Sequence, residues 1–237
     1  MLELTAEMER LWDSLGPLVS APTPGHGRVV HFLAARSGEG TSAVSREFAR
    51  YAARRARGPV WLVDADIPQS EQYAAIGAEQ GRFGVMGVAA AASPNGSTFF
   101  NVHPPAHGRS GAPAHPAHYL VAYPIGGPKL WVTRFRREAL QPHQTVHVIP
   151  SGAYWASLRQ HAELVIVDSP AADRSQAGIT LAPFMDATVM VLAADGADAA
   201  GPAALKTAIA GAGGRLAGVF VNRVDVEPPA FLKSVLR

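Results

Sequence analysis

Cysteine is absent from the 237 residues, so disulfides, thiolate metal sites and thiol nucleophiles are excluded at once. Lysine is scarce: Lys129, Lys206 and Lys233 stand against 18 arginines. Neither sign of charge dominates, and a formal net charge of +2 does not point to nucleic acid. No apolar run approaches the roughly 20 residues that a membrane-spanning helix needs. The N-terminal "MLELTAEMERLWDSL" carries acids rather than a signal-peptide pattern, which sets the expectation of a cytoplasmic protein. What is present, 48% hydrophobic and 17% charged residues over this length, suits one globular domain with a large core and little disordered tail.

Leu2, Leu4, Met8, Leu11 and Leu15 recur at near-helical spacing, so residues 3–15 read as an amphipathic helix, and residues 1–27 as that helix plus a linker. "VVHFLAA" (29–35) and "PVWLVDAD" (59–66) are short buried strands, with a helix over 41–58 between them that Gly58 ends. Arg46, Arg50, Arg54 and Arg57 share a side of that helix and predict a solvated face. Residues 71–92 read as mostly helical. Residues 93–118, dense in Pro, Gly and Ser, predict a flexible exposed insertion; its His103, His107, His115 and His118 lack acidic partners for a metal. Strands follow at 129–135 and 145–150, then a helix at 154–162. "ELVIVDSP" (163–170), "ATVMVLAA" (187–194) and "LAGVFVNR" (216–223) are further strands, with a helix over 203–214. Continuous apolar strands alternating with helices predict an α/β fold: a mostly parallel sheet, P-loop NTPase-like, with helices on both faces.

In such a sheet ligands bind beyond the carboxyl ends of the strands, and four features fall there. "SGEGTS" (37–42) lies between a strand and a helix, where Gly38 and Gly40 allow backbone N–H groups to turn around an anion. Asp64 and Asp66 end the second strand, Asp168 ends "VIVD", and Asn222 ends "VFVN". Acids grouped around an anion loop make chemical sense with a cation such as Mg²⁺ between them. A GxxxxGK[ST] loop would place lysine where this chain has Thr41. "GEGTSA" (38–43) also fits the dinucleotide pattern G-x-G-x-x-G/A, with Asp64 at the distance of a ribose-binding acid, which leaves an NAD(P)-dependent oxidoreductase open.

Assembled, these residues resemble the deviant-Walker P-loop ATPases, the class of the Mrp, MinD and ParA proteins. More closely they resemble the cytoplasmic bacterial tyrosine-kinase domains that work with polysaccharide co-polymerases. The family's "PGEGKS" is matched by "SGEGTS", its "hhhDxDxR" by "WLVDADIP", its "hhhDxPP" by "VIVDSPA" and its "hLNr" by "VFVNR". "FGVMGVA" (83–89) is similar to its "GLxxxL" segment and "VIPSG" (148–152) to its "hhPxG". The likeness covers roughly 28–92 and 144–224. It implies ATP or ADP with Mg²⁺: Gly38, Glu39, Gly40, Thr41 and Ser42 cradling phosphate, Ser42, Asp64 and Asp168 holding Mg²⁺, Asp66 activating a hydroxyl or water, and Asn222 facing the base. Departures are equally plain. The lysine is Thr41, the arginine after DxD is Pro68, and "PPAFLKSVLR" carries no tyrosine cluster. The oligomerisation pattern ExxRxxR survives only as Glu7 and Arg10, with Asp13 third.

Loss of one preorganised charge costs on the order of 10²–10³ in rate, so the expectation is a regulatory or scaffolding subunit with weak or no kinase or ATPase activity. Arg36 stands at the place of the partitioning ATPases' signature lysine, and the resemblance implies that it restores charge, across a homo-oligomer if one forms. The expected partner is a membrane polysaccharide co-polymerase, bringing the protein to the inner membrane without a span of its own and without nucleic acid. An active partitioning or positioning ATPase is the alternative; it would use "RFRR" (Arg134, Arg136, Arg137) as a basic patch.

Overall fold

The computed structural model describes residues 4–19, 26–105, 114–194 and 199–223. Helix α1 (Thr5–Ser14) and the turn α2 (Gly16–Val19) precede β1 (Arg28–Ala34), α3 (Thr41–Arg55) and β2 (Val60–Asp64). Then come α4 (Gln72–Ala78), α5 (Gln80–Phe83), β3 (Ala90–Ala91), β4 (Phe100–His103), β5 (Leu120–Ile125), β6 (Leu130–Phe135) and β7 (Thr145–Val148). Last are α6 (Gly152–His161), β8 (Leu164–Asp168), α7 (Ala177–Leu181), β9 (Ala187–Ala193), α8 (Ala200–Gly211) and β10 (Leu216–Asn222). Among the described residues the main sheet has eight strands in the order β10-β9-β1-β8-β2-β6-β5-β3. It is parallel from β10 to β6 and antiparallel at β6–β5 and β5–β3.

The central strands are largely apolar because alternate residues enter opposite cores. Val30 and Phe32 of β1, Leu62 of β2 and Ile166 of β8 pack with Val44, Phe48 and Ala52 of α3. Their neighbours Val29, Val63, Val165 and Val167 pack with Tyr154, Trp155 and Leu158 of α6. A smaller cluster joins Leu33 and Met190 to Leu205 and Ile209 of α8. α3 buries a face at helical spacing, and Trp12 of α1 lies 6.2 Å from Phe48 and 6.3 Å from Tyr51, ring to ring. The predicted α/β architecture is the one found.

Several local expectations give way. The helix expected over 71–92 ends at Phe83, because Gly84 turns at φ 100° and meets Gly126, its missing Cβ leaving only 2.4 Å to the Gly126 Cα. Met86 then bridges to Ile125 and β3 extends the sheet edge. The insertion expected over 93–118 is partly core: Phe99 and Phe100 are wholly buried, and β4 pairs antiparallel with β7. Of its histidines, His107 lies outside the described residues. β5 was hidden by its short, proline-containing sequence "LVAYPI". The arginine side of α3 divides: Arg54 and Arg57 are exposed as expected, whereas Arg46 donates to Gln72 Oε1 at 3.0 Å and Arg50 pairs with Glu47 at 3.0 Å.

Candidate functional site

Strand register fixes the acids before any side chain is considered. Asp64 on β2 and Asp168 on β8 are paired neighbours at the carboxyl ends of adjacent strands. β1, on the other side of β8, runs straight into the loop 35–40. Gly38 and Gly40 adopt φ values of 86° and 89°, which L side chains rarely tolerate, and a Cβ on Gly40 would sit 2.2 Å from Asn222 Nδ2. The turn therefore needs glycine at 40 twice over, for conformation and for space.

The loop is braced from outside. Ser37 donates through its N–H and its hydroxyl to the two carboxylate oxygens of Asp173, each at 2.9 Å. The Arg36 N–H donates to Glu39 Oε2 at 2.9 Å. Asn222 Nδ2 donates to the Glu39 carbonyl at 3.0 Å, and Arg223 Nη2 to the Gly38 carbonyl at 2.6 Å. With those carbonyls held outward, the N–H groups of Gly38, Glu39, Gly40, Thr41 and Ser42 donate to no acceptor among the described residues. No side chain caps α3 either. Free amides at a helix start are the chemistry that receives an anion.

The cleft in front of this loop has a volume of about 400 Å³ and is walled by Arg36, Ser42, Asp64, Asp66, Asp168 and Arg174, among others. Asp64 is 2% exposed, and its two oxygens accept the N–H groups of Asp66 and Gln72 at 3.1 and 3.0 Å. Burial and the neighbouring Asp168 push its carboxyl well above the usual range. Asp168 is 1% exposed, and burial lifts its pKa to about 6 although Gln72 and Ser42 pull it back. Its Oδ1 is buried without a hydrogen-bond partner. Asp66 instead forms an ion pair with Arg174. Thr41 takes the lysine's place as the first residue of α3, 8% exposed, with no charge to offer.

Two residues at the site carried no signal in the sequence. Gln72 is 1% exposed, and its Nε2 faces Asp168 Oδ2 at 2.6 Å, the Ser42 carbonyl at 2.9 Å and Ser45 Oγ at 3.2 Å. It ties α3, β8 and the start of α4 into one network, yet in sequence it is one glutamine before an alanine-rich helix. His31, fully buried on β1, lies 2.8 Å from Ser169 Oγ and 3.3 Å from Thr188 Oγ1; burial drops its pKa to about 3, so it stays neutral and fixes the residue after Asp168. Of the residues expected at the site, Asn222 and Glu39 lie behind the loop, the first committed to a backbone carbonyl.

A metal ion fits these donors in a restricted way. Among the described residues no group of three or more His, Asp or Glu forms a ready cage. The orphaned Asp168 Oδ1, set beside the Ser42 hydroxyl and a free anion loop, suits Mg²⁺, which is typically bound through one or two carboxylates plus phosphate and water.

No protein-family model matches the chain, and no curated protein matches it in sequence. Solved structures do. The kinase domain of the Escherichia coli tyrosine kinase ETK is 16% identical, with a TM-score of 0.60 over 95% of this chain and 78% of that one. The VpsO kinase domain is 16% identical, with a TM-score of 0.55 over 93% and 97%. Cobyrinic acid a,c-diamide synthase from Mycobacterium smegmatis, solved with bound ADP and magnesium, is 13% identical, with a TM-score of 0.51 over 89% and 82%. At these identities it is the fold that is shared: the chain has the P-loop NTPase-like α/β architecture of bacterial tyrosine-kinase domains.

Proposed function

We propose that this chain binds Mg²⁺–ATP or Mg²⁺–ADP in the cleft at the loop 37–42, with phosphoryl transfer weak or lost, and serves as a regulatory or scaffolding subunit. One observation carries the proposal: the N–H groups of Gly38, Gly40, Thr41 and Ser42, which donate to no acceptor among the described residues, border a cleft that also holds the unpartnered Asp168 Oδ1, while the residue that should bring an ammonium group is Thr41. Bound Mg²⁺ would neutralise phosphate charge, with Ser42 and Asp168 the residues that would hold it; Asp64, both oxygens already accepting N–H groups, would orient the site. The loop amides would bind phosphate, and Asp66 would take the proton of an attacking hydroxyl only once Arg174 released it. Without the lysine, transition-state charge is left undercompensated, so binding outlasts turnover.

The polysaccharide-export setting, with a membrane co-polymerase as partner and a place at the inner membrane, follows from the resemblance of the motifs alone. No helix among the described residues is long and apolar enough to cross a membrane. The two rival activities find less support. Asp64, buried and saturated by backbone N–H groups, is poorly placed for a ribose hydroxyl. Two of the three "RFRR" arginines are engaged within the fold: Arg134 pairs with Glu138 at 2.9 Å and Arg136 donates to the His118 carbonyl, which leaves Arg137 as the exposed remainder of that patch.

Calorimetric titration with Mg²⁺–ATP and Mg²⁺–ADP, beside a Thr41→Lys variant, tests the proposal. Saturable binding by the wild type, tighter in the variant and with turnover far below ordinary enzyme rates, is the expected result. Wild-type turnover at ordinary rates would overturn the degenerate-site reading.

A further inference from the structure

Arg174 sits on the segment after β8, and its guanidinium meets Asp66 across the mouth of the cleft. We propose that Arg174 is the phosphate-binding cation of this site, standing in for the lysine that Thr41 replaces. This deepens the nucleotide-binding proposal above and rests on it.

The placement of Arg174 is built, not incidental. Its segment is laid along the end of β1 by Ala172 N–H to the Ala34 carbonyl at 2.9 Å and Asp173 N–H to the Ala35 carbonyl at 3.2 Å. Asp173 then grips Ser37, the first residue of the anion loop, through two hydrogen bonds. Each contact fixes the backbone beside Arg174, so its side chain leaves from a set point on the wall of the loop. It crosses to Asp66 on the segment after β2, 108 residues away in sequence.

Two other arginines line the cleft. Arg223 donates to the Gly38 carbonyl at 2.6 Å, and Arg36 Nε lies 3.6 Å from where a Cβ on Gly201 of α8 would be. Arg174, whose guanidinium is held across the mouth by a carboxylate of the cleft itself, is favoured over Arg36, the residue that spacing alone suggests.

Energetics allow the exchange of partner. The Arg174 side chain is 36% exposed, so its pair with Asp66 is partly solvated and weak. A phosphate presents more charge and matches the guanidinium fork in two-point geometry. Phosphate arriving at the loop would draw Arg174 off Asp66 and leave that carboxylate free. Charge compensation and exposure of Asp66 would then be one event.

The test is calorimetric titration of Mg²⁺–ATP into wild type, Thr41→Lys, Arg174→Ala, Arg174→Lys, Arg36→Ala and the double variant Thr41→Lys/Arg174→Ala, with thermal unfolding of each unliganded protein as a check on folding. Expected are affinity weakened on the order of 10- to 100-fold in Arg174→Ala, partial retention in Arg174→Lys, a smaller loss in Arg36→Ala than in Arg174→Ala, and recovery in the double variant. Binding by Arg174→Ala as tight as wild type overturns the role of Arg174 and leaves nucleotide binding standing. Failure of wild type to bind while Thr41→Lys binds shows that Arg174 does not replace the lysine, which overturns it too. Failure of both wild type and Thr41→Lys sinks the nucleotide site itself, and Arg174 with it.

Discussion

Gln72 concentrates the most consequence in one side chain. Its amide reaches Asp168, Ser42 and Ser45, and its own backbone N–H serves Asp64. Truncation to alanine keeps the backbone bond to Asp64 but removes the amide donor, leaving Asp168 with no hydrogen bond from position 72. Leaving a buried acceptor unsatisfied costs about 1–3 kcal/mol, so Gln72→Ala is expected to lower the urea midpoint by that order with an unchanged slope. Asp64, Asp168 and the glycine loop were legible in the sequence because strand ends and glycine spacing are local patterns. Gln72 and the Asp66–Arg174 pair were not, because they exist only after distant segments meet.

At the level of elements, β4 and β7 form a ribbon that leans on the main sheet through aromatic rings. Phe100 lies 5.3 Å from Phe135 of β6, and Phe99 lies 5.0 Å from Tyr154 and 5.3 Å from Trp155 of α6. Were residues 93–118 all an exposed insertion, Phe100→Ala would be nearly silent. As a fully buried residue it is expected to cost about 3–5 kcal/mol, read by denaturant unfolding. The sequence misled here for a physical reason: the prolines and glycines after His103 outweigh "TFFNVH", whose burial depends on a partner strand more than forty residues later. The parallel strands, by contrast, announce themselves, since burial on both faces leaves an unbroken apolar run.

Across the whole molecule, the two buried carboxyls make stability depend on pH. Asp168, whose pKa burial raises from the ordinary 3.8 to about 6, holds its proton more tightly in the fold. Its contribution is therefore full below the lower value, fades as pH rises through the window, and stays lost above about 6. Asp173 and Glu138 shift the other way, so the effect must be read as a difference. The wild-type melting temperature minus that of Asp168→Asn is expected to fall from pH 4 to pH 6 in the absence of divalent cations. Added Mg²⁺ with nucleotide is expected to recover the loss above pH 6.

The double hydrogen bond between Ser37 and Asp173 has a mechanical consequence. It fastens one jaw of the cleft to the segment that follows β8, so the two stretches are coupled. A guest that settles the loop should quiet both at once, and amide exchange at Ser37 and Asp173 should slow in step.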